Sequence, residues 1–370
     1  MAGTSTADAH HGRLEKLRRN VAENGLEGVI LVPGPNLRYV TGVNSMLMER
    51  AFLLFVPKDG ELHLVAPLLE SGPYHRSPLK IKLHSWNDTE GPSRAFEELV
   101  SQLPLIGKWG VEGRTPFRFV QLLQKHAHPE FTDGEDVLQR TREIKEPVEA
   151  HSLQQAASIL CKSFSRIPNM LKNGMTELEL ANEISQEIYS HGAEFVSDIL
   201  VQSGAFAADP HHLPSTRRLK RNESIVVDVT CTYSGYYADI TRTFIMGKNH
   251  EFQRLYEQVL SSQEAAIGLS KSGVTVGLID NAARDNFKRS NLDQYFIHRT
   301  GHGLGLEVHE APYIVSGGEE IVLPSMVFTI EPGVYIPGKI GVRIEDDVIS
   351  ADRSCKVLTR KLPKQFEWWK

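Results

Sequence analysis

The sequence predicts an α/β domain over residues 13–140 followed by an α+β domain over residues 141–370, with residues 1–12 as a disordered tail. Three observations carry this reading. Strand-like and helix-like stretches alternate through the first part. Composition then shifts at Asp133-Gly134 into a strongly charged stretch, residues 135–149. Finally, residues 301–357 are dense in short apolar runs broken by Pro and Gly, the mark of strands and turns. A chain of 370 residues also exceeds what one core usually holds.

The elements follow in order. Residues 13–24 place Leu14, Leu17 and Val21 on one helical stripe. Gly28-Val29-Ile30-Leu31-Val32, ended by Pro33-Gly34, reads as a buried strand. Apolar runs at 51–56 and 61–66 flank Pro57-Lys58-Asp59-Gly60, which makes a hairpin. Strands at 81–86 and 108–112 alternate with helices at 93–102 and 116–126. This first domain offers no cluster of ligand-type residues, so its expected role is to wall a site or make a subunit contact. A long helix is expected over 147–172, with Pro168 kinking its last turns. Thr176 then caps a second helix, with Glu179 as capping-box partner. Strands follow at 194–202, 224–231 and 236–246, the last two joined by Tyr233-Ser234-Gly235, and helices at 251–271 and 276–289. The strand-rich remainder completes a mostly antiparallel sheet backed by helices.

Composition narrows the function. The net charge of −5 gives no support for nucleic acid or an anionic membrane as the main partner. The basic run Arg217-Arg218-Leu219-Lys220-Arg221 precedes a strand and reads as a solvated turn. The three cysteines, Cys161, Cys231 and Cys355, are widely spaced and odd in number. They make no disulfide framework and read as small buried hydrophobes in a reducing, cytoplasmic setting. No apolar run approaches the ~20 residues of a membrane helix. The polar start of the chain lacks a signal-peptide core, and His10-His11 are expected in solvent.

The chemistry concentrates in the second domain. His298-Arg299-Thr300-Gly301-His302-Gly303-Leu304-Gly305-Leu306-Glu307-Val308-His309-Glu310 packs three imidazoles among glycines, which let backbone approach a ligand. The glycines do not match a dinucleotide loop, because position 306 is Leu and no strand–loop–helix context surrounds them. Asp228 sits inside the β-branched run Ile225-Val226-Val227-Asp228-Val229, where a carboxylate is costly unless paired or bound to a cation. Asp239 lies eleven residues on, where a hairpin can return it. Glu331 ends Val327-Phe328-Thr329-Ile330, and Glu345 follows in Val342-Arg343-Ile344-Glu345. Period-two alternation places Asp239 with Thr241, and Arg343 with Glu345. Alone, Asp228 or Glu345 suits a salt bridge and His302 suits a core. Together, four carboxylates and one imidazole need cations, and oxygen-rich ligation with one nitrogen suits divalent Mn, Co or Zn. Two ions, sharing carboxylates and a water, use all five groups. His211, His212, His309 and Arg343 form a second polar set, able to support an oxyanion or pass protons. His309 faces the site if the segment from His302 continues as a strand. His298 is left as wall or core.

With these motifs in place, residues 150–370 resemble the proline-specific metallopeptidases, the Xaa-Pro dipeptidases (prolidases) and aminopeptidase P. The N-terminal part looks like that family's creatinase-type domain. The resemblance implies a pita-bread catalytic fold, two divalent ions (manganese first, cobalt or zinc as alternatives) and a homodimer. It implies that Asp228, Asp239, His302, Glu331 and Glu345 hold the ions, with Thr241 behind them. Glu331 would also accept a proton from the water between the ions. His211 and His309 would stabilise the tetrahedral intermediate and protonate the proline nitrogen, and Arg343 would hold a carboxylate or anchor substrate. The expected substrate is a small peptide with proline after the scissile bond, foremost an Xaa-Pro dipeptide. An X–Pro bond is a tertiary amide without an N–H, so a site that polarises the carbonyl does not need one. Alternatives are an Xaa-Pro aminopeptidase taking longer peptides, a same-fold hydrolase or lyase of another small molecule, and a non-catalytic binding protein on this scaffold. The intact ligand set argues against the last.

Overall fold

The computed structural model describes residues 6–364, which divide into two compact units, one ending at Arg142 and the next beginning at Glu143. The first unit opens with α1 (Thr6–Glu23), β1 (Gly28–Leu31), α2 (Pro35–Thr41), β2 (Leu53–Pro57), β3 (Leu62–Pro67) and α3 (Leu68–Ser71). It continues with β4 (Ile81–Trp86), α4 (Ser93–Gln102), β5 (Lys108–Val111), α5 (Phe117–Leu123), β6 (Glu130–Asp133) and α6 (Glu135–Arg142). Its six strands form one sheet in the order β4-β3-β2-β1-β5-β6. The β2–β3 hairpin and the β1–β2 pair are antiparallel, whereas β4, β5 and β6 join in parallel after helical crossovers. Ile30, Phe55, Val65, Phe96, Leu99, Trp109 and Phe119 fill the core. Burying a side chain such as Phe96 contributes about 1.5–3 kcal/mol. Gly28 leaves room for the Trp109 ring, where a Cβ would collide.

The N-terminal expectation needs correction. The helix starts at Thr6, so residues 6–12, expected as tail, belong to α1; residues 1–5 lie outside those described. His10 is only partly exposed, because its Nδ1 sits 3.3 Å from the Tyr39 carbonyl. The short α2 and β6 were not foreseen. The first is only seven residues, and the second is a half-exposed edge strand with no apolar alternation.

The second unit contains α7 (Pro147–Phe164), α8 (Ile167–Met170), α9 (Glu177–Ser190), β7 (Phe195–Ser203), β8 (Ser224–Tyr233), β9 (Tyr236–Ile245), α10 (His250–Leu269) and α11 (Val276–Arg289). Seven short strands follow: β10 (Gly301–Gly303), β11 (Glu310–Ile314), β12 (Val327–Ile330), β13 (Gly333–Ile336), β14 (Ile340–Arg343), β15 (Asp346–Ser350) and β16 (Cys355–Val357). All pairings in this unit are antiparallel, divided among β7-β8-β9, β11-β10-β12-β15-β16 and β13-β14. The helix expected over 147–172 stops at Phe164, and Pro168 sits in the first turn of the separate α8, where its missing N–H costs nothing. Thr176 and Glu179 form the expected capping box. Helix α7 lays Leu153, Ala156, Ala157 and Leu160 against the β8–β9 hairpin. Arg242 of β9 is fully buried and donates from Nη2 to Asp346 of β15 at 2.7 Å, which locks two sheets together. Cys161 and Cys231 are buried, but Cys355 is half-exposed at the edge strand β16. Burial pushes the Cys161 thiol up to about 12, which removes any thiolate chemistry there. Among the described residues, no helix is long and apolar enough to cross a membrane.

Candidate metal centre and active site

The β8–β9 hairpin positions the first two carboxylates. Ser234 and Gly235 both take left-handed φ values, 51° and 78°, and close a two-residue turn with Tyr233 opposite Tyr236. That register puts Asp228 opposite Thr241 and Thr230 opposite Asp239, so all four share one face. Glu331 follows β12, its N–H donating to the Thr300 carbonyl at 2.8 Å. Glu345 follows β14, its N–H donating to the Thr241 carbonyl at 3.1 Å. His302 lies on β10, between β11 and β12. Gly301 and Gly303 flank it because a Cβ at either would strike backbone, of Thr329 and of Ala311 respectively. The Glu310 carboxylate fills the space a side chain at Gly305 would need. Helix α11 fixes the lead-in: Asp280 accepts from the Thr300 hydroxyl at 2.8 Å, and Arg284 donates to the His298 carbonyl at 2.6 Å.

The five residues named from the sequence meet in one place. Ligand-type atoms of Asp239, His302 and Glu345, all buried, lie within 4.8 Å of one another. His302 Nε2 is 3.5 Å from Glu331 Oε1 and 3.9 Å from Asp239 Oδ2. The Thr241 hydroxyl donates to Glu345 Oε2 at 2.6 Å and accepts from Arg343 Nε at 3.1 Å. Arg343 Nη2 donates to Asp228 Oδ2 at 2.6 Å, and its Nη1 to the Tyr335 hydroxyl at 2.9 Å. Asp228 is thus held by a salt bridge while it faces the same cavity as Asp239, His302 and Glu331.

The electrostatics of the cluster suit a divalent cation. Asp239 Oδ1 and Glu345 Oε1 are buried without a hydrogen-bond partner. Burial, and then the charges of Glu345 and Asp228, push Asp239 far above its usual range. Burial, and then Glu331 and Asp228, do the same to Glu345. Burial lowers His302 to about 3, helped by neighbouring His309, so its imidazole is neutral at pH 7, the form that ligates metal. Converging carboxylates with orphaned oxygens beside a neutral imidazole fit divalent cations.

Above this cluster lies a cavity of about 730 Å³. Its lining includes His211, His298, Arg299, His309 and Arg343, with the apolar side chains of Leu200, Leu213, Ile297 and Val308. His309 arrives by a different route from the one expected. Strand β10 ends at Gly303, and residues 304–309 form a loop before β11 pairs back, Gly303 opposite Glu310. The loop sets the His309 ring edge-on to His302, centroids 4.1 Å apart. A buried Lys145–Glu310 ion pair anchors the loop's end. His212 turns aside, stacking on Phe206 and reaching Glu177 at 3.4 Å, which leaves His211 at the cavity. His298 is wall, as expected, with Nε2 2.9 Å from the Tyr335 hydroxyl.

The sequence reading missed Tyr335, Asp347 and Arg299. Asp347 Oδ2 accepts from the Asp239 N–H at 3.1 Å. Its signal was present in the acidic run Glu345-Asp346-Asp347 within apolar strands. Tyr335 carried no signal, since its part depends on β13 pairing with β14, Gly333 opposite Arg343.

Comparison with known proteins agrees with this geometry. Residues 151–351 match Metallopeptidase family M24, and residues 13–144 match the Creatinase/Prolidase N-terminal domain. A probable dipeptidase PepE from Mycobacterium bovis is 35% identical over 348 residues, 93% of this chain and 92% of the relative. A prolidase from Thermococcus sibiricus superposes with a TM-score of 0.89 at 35% identity, covering 96% of this chain and 98% of that one. An X-Pro aminopeptidase from Thermotoga maritima superposes at 0.82 with 27% identity, covering 95% and 98%. The chain belongs to metallopeptidase family M24, with the pita-bread fold in its second unit and a creatinase-type domain in its first. It is a metallopeptidase whose relatives include dipeptidases and prolidases.

Proposed function

We propose that this protein hydrolyses the X–Pro bond of Xaa-Pro dipeptides at a centre of two divalent ions. The observation that supports this most is the buried cluster of Asp239, His302 and Glu345 with orphaned oxygens beneath a histidine-lined cavity. Asp228, Asp239, His302, Glu331 and Glu345 would hold the ions. Bound there, divalent metal supplies Lewis acidity that acidifies water and polarises the scissile carbonyl. Glu331, at the cavity with its Oε1 3.5 Å from His302 Nε2, would accept the proton that water gives up. Cleavage turns the proline nitrogen into a secondary amine, which needs one proton. His309 and His211 line the cavity and relay it, and their N–H groups support the developing oxyanion. Thr241 and Arg343 fix the orientation of Glu345 and Asp228.

The reading extends to manganese as resident ion, given the oxygen-rich donor set. It extends also to a homodimer, by resemblance, and to a cytoplasmic location, since the three cysteines are free. The working domain division falls between Arg142 and Glu143, with α1 from Thr6 inside the first domain. The test is hydrolysis of Ala-Pro against Ala-Pro-Ala after chelation and return of Mn or Co, with metal content measured alongside. Cleavage of Ala-Pro is expected. Faster cleavage of Ala-Pro-Ala would favour an Xaa-Pro aminopeptidase, the second reading, which the Thermotoga maritima likeness supports. Cleavage of neither with metal bound would sink the peptidase reading. Asp239→Ala is expected to abolish turnover and most metal binding, and an active variant would refute the ligand assignment.

A further inference from the structure

We propose that Asp198 receives the cationic side chain of a lysine or arginine placed before the proline, so that the cavity favours Lys-Pro and Arg-Pro among dipeptides. The inference rests on the peptide-cleaving reading of the same site. Four carboxylates line the cavity, those of Asp198, Asp228, Asp239 and Glu331. The last three belong to the proposed metal-binding set, and Asp228 is also paired with Arg343. Asp198 is exposed, and among the described residues no cation forms an ion pair with it. A β-bulge aims it at the cavity. The β7–β8 register shifts between Val196, opposite Cys231, and Ile199, opposite Val229. Ser197 and Asp198 therefore face a single residue, Thr230, on the side of the sheet that carries Asp228 and Asp239. The Ser197 hydroxyl bonds the Thr230 hydroxyl, and the Asp198 N–H donates to the same oxygen at 3.4 Å. Thr230 thereby holds the bulge and leaves the Asp198 carboxylate to the cavity.

Reach decides which cation fits. Asp198 and Asp239 stand on either side of Thr230, two strand spacings apart, so their backbones are separated by about 10 Å. With the scissile carbonyl at the metal-binding set, the substrate's α-amino nitrogen stays about 2.5 Å from the carbonyl carbon and falls short of Asp198. The four-carbon stem of lysine, or the longer arm of arginine, covers the gap. Strand alternation puts Leu200 on the same face as Asp198, opposite Asp228, where it gives such a stem an apolar wall. The charged head then ends beside the carboxylate. A neutral side chain of the same length gains only the apolar contact. Preference for the residue before proline would thus reside in a bulge outside the metal-binding set.

The test compares Lys-Pro with norleucine-Pro, its uncharged counterpart, and with Glu-Pro, using the metal-loaded enzyme and its Asp198→Asn and Asp198→Lys variants. Wild type should prefer Lys-Pro to norleucine-Pro by about fivefold in kcat/KM, the upper end for a solvent-accessible ion pair. The preference should appear in KM and shrink as salt is raised. Asp198→Asn should erase it, and Asp198→Lys should turn it towards Glu-Pro. Equal losses on Lys-Pro and norleucine-Pro in Asp198→Asn would show that the carboxylate serves the α-ammonium or the fold instead, and would overturn the assignment. A wild type indifferent to the side-chain charge would overturn it too, while leaving the peptidase reading intact. A wild type that cleaves none of the three, nor Ala-Pro, with metal bound would overturn both.

Discussion

The Thr241 hydroxyl is a single buried group with two charged neighbours, Glu345 and Arg343. Thr241→Val keeps the shape and removes both bonds. It should cost about 2–3 kcal/mol of stability and weaken metal binding by about 10–100-fold, as loss of a supporting group does. Metal titration and thermal melting check this, and unchanged affinity would show that the hydroxyl does not orient Glu345. A second residue-scale prediction concerns the N-terminal sheet. His63 Nδ1 lies 3.0 Å from His84 Nε2, with the rings stacked. Burial, and then His63, lower His84 to about 4 from an unfolded value of 6.5. The unfolded chain therefore binds more protons in that window, so this contribution is complete above 6.5 and is lost as pH falls towards 4. His84→Gln should flatten the dependence of melting temperature on pH between 7 and 5. Parallel curves for the two proteins would refute it. At this scale the sequence was informative where a residue broke its own context: Asp228, Glu331 and Glu345 each interrupt or end an apolar run. Arg299 broke no pattern. Its place in the cavity wall follows from contacts between distant strands.

Among elements, the β10–loop–β11 hairpin has the heaviest duties. It presents His302 from a strand and His309 from a loop, and the buried Lys145–Glu310 pair holds its far end. Lys145→Met removes the cation of this buried pair, which should cost about 3–5 kcal/mol. Adding Glu310→Gln should recover much of the stability but not the placement of His309, so activity should stay low. Melting curves and kcat of the single and double variants test this; a double variant as active as wild type would show that the ion pair does not position the loop. Helix caps, hairpins and most strand limits were legible because they depend on neighbours in sequence. The loop at 304–309 was not, since the glycines could have continued a strand. What ends the strand is the packing of Gly303 against Ala311 and of Gly305 against Glu310, both set by tertiary contact.

Among the described residues the chain divides into two units, the first with its own core, and the carboxylate cluster lies in the second. Metal that binds the folded second unit alone stabilises it by mass action, about 2.7 kcal/mol at a hundredfold excess over Kd. Chelation should therefore lower one calorimetric transition and leave another in place. A single transition that moves as a whole would show that the units unfold together. The α/β-then-α+β order was legible from composition and periodicity, because each unit's apolar pattern serves its own core. The distribution of the second unit's strands among three sheets was not, since sheet membership depends on which of many short strands find each other.

The glycine rungs beside His302 have a practical meaning for anyone who diversifies this chain. Positions 301 and 303 present bare backbone to their neighbours, so a random library that touches them would lose most members to misfolding before any change in selectivity could be screened. Leu213, Ile297 and Val308 line the cavity, and the first two are well exposed. Variation placed at those three sites, with 301 and 303 held constant, would search substrate preference on an undisturbed scaffold.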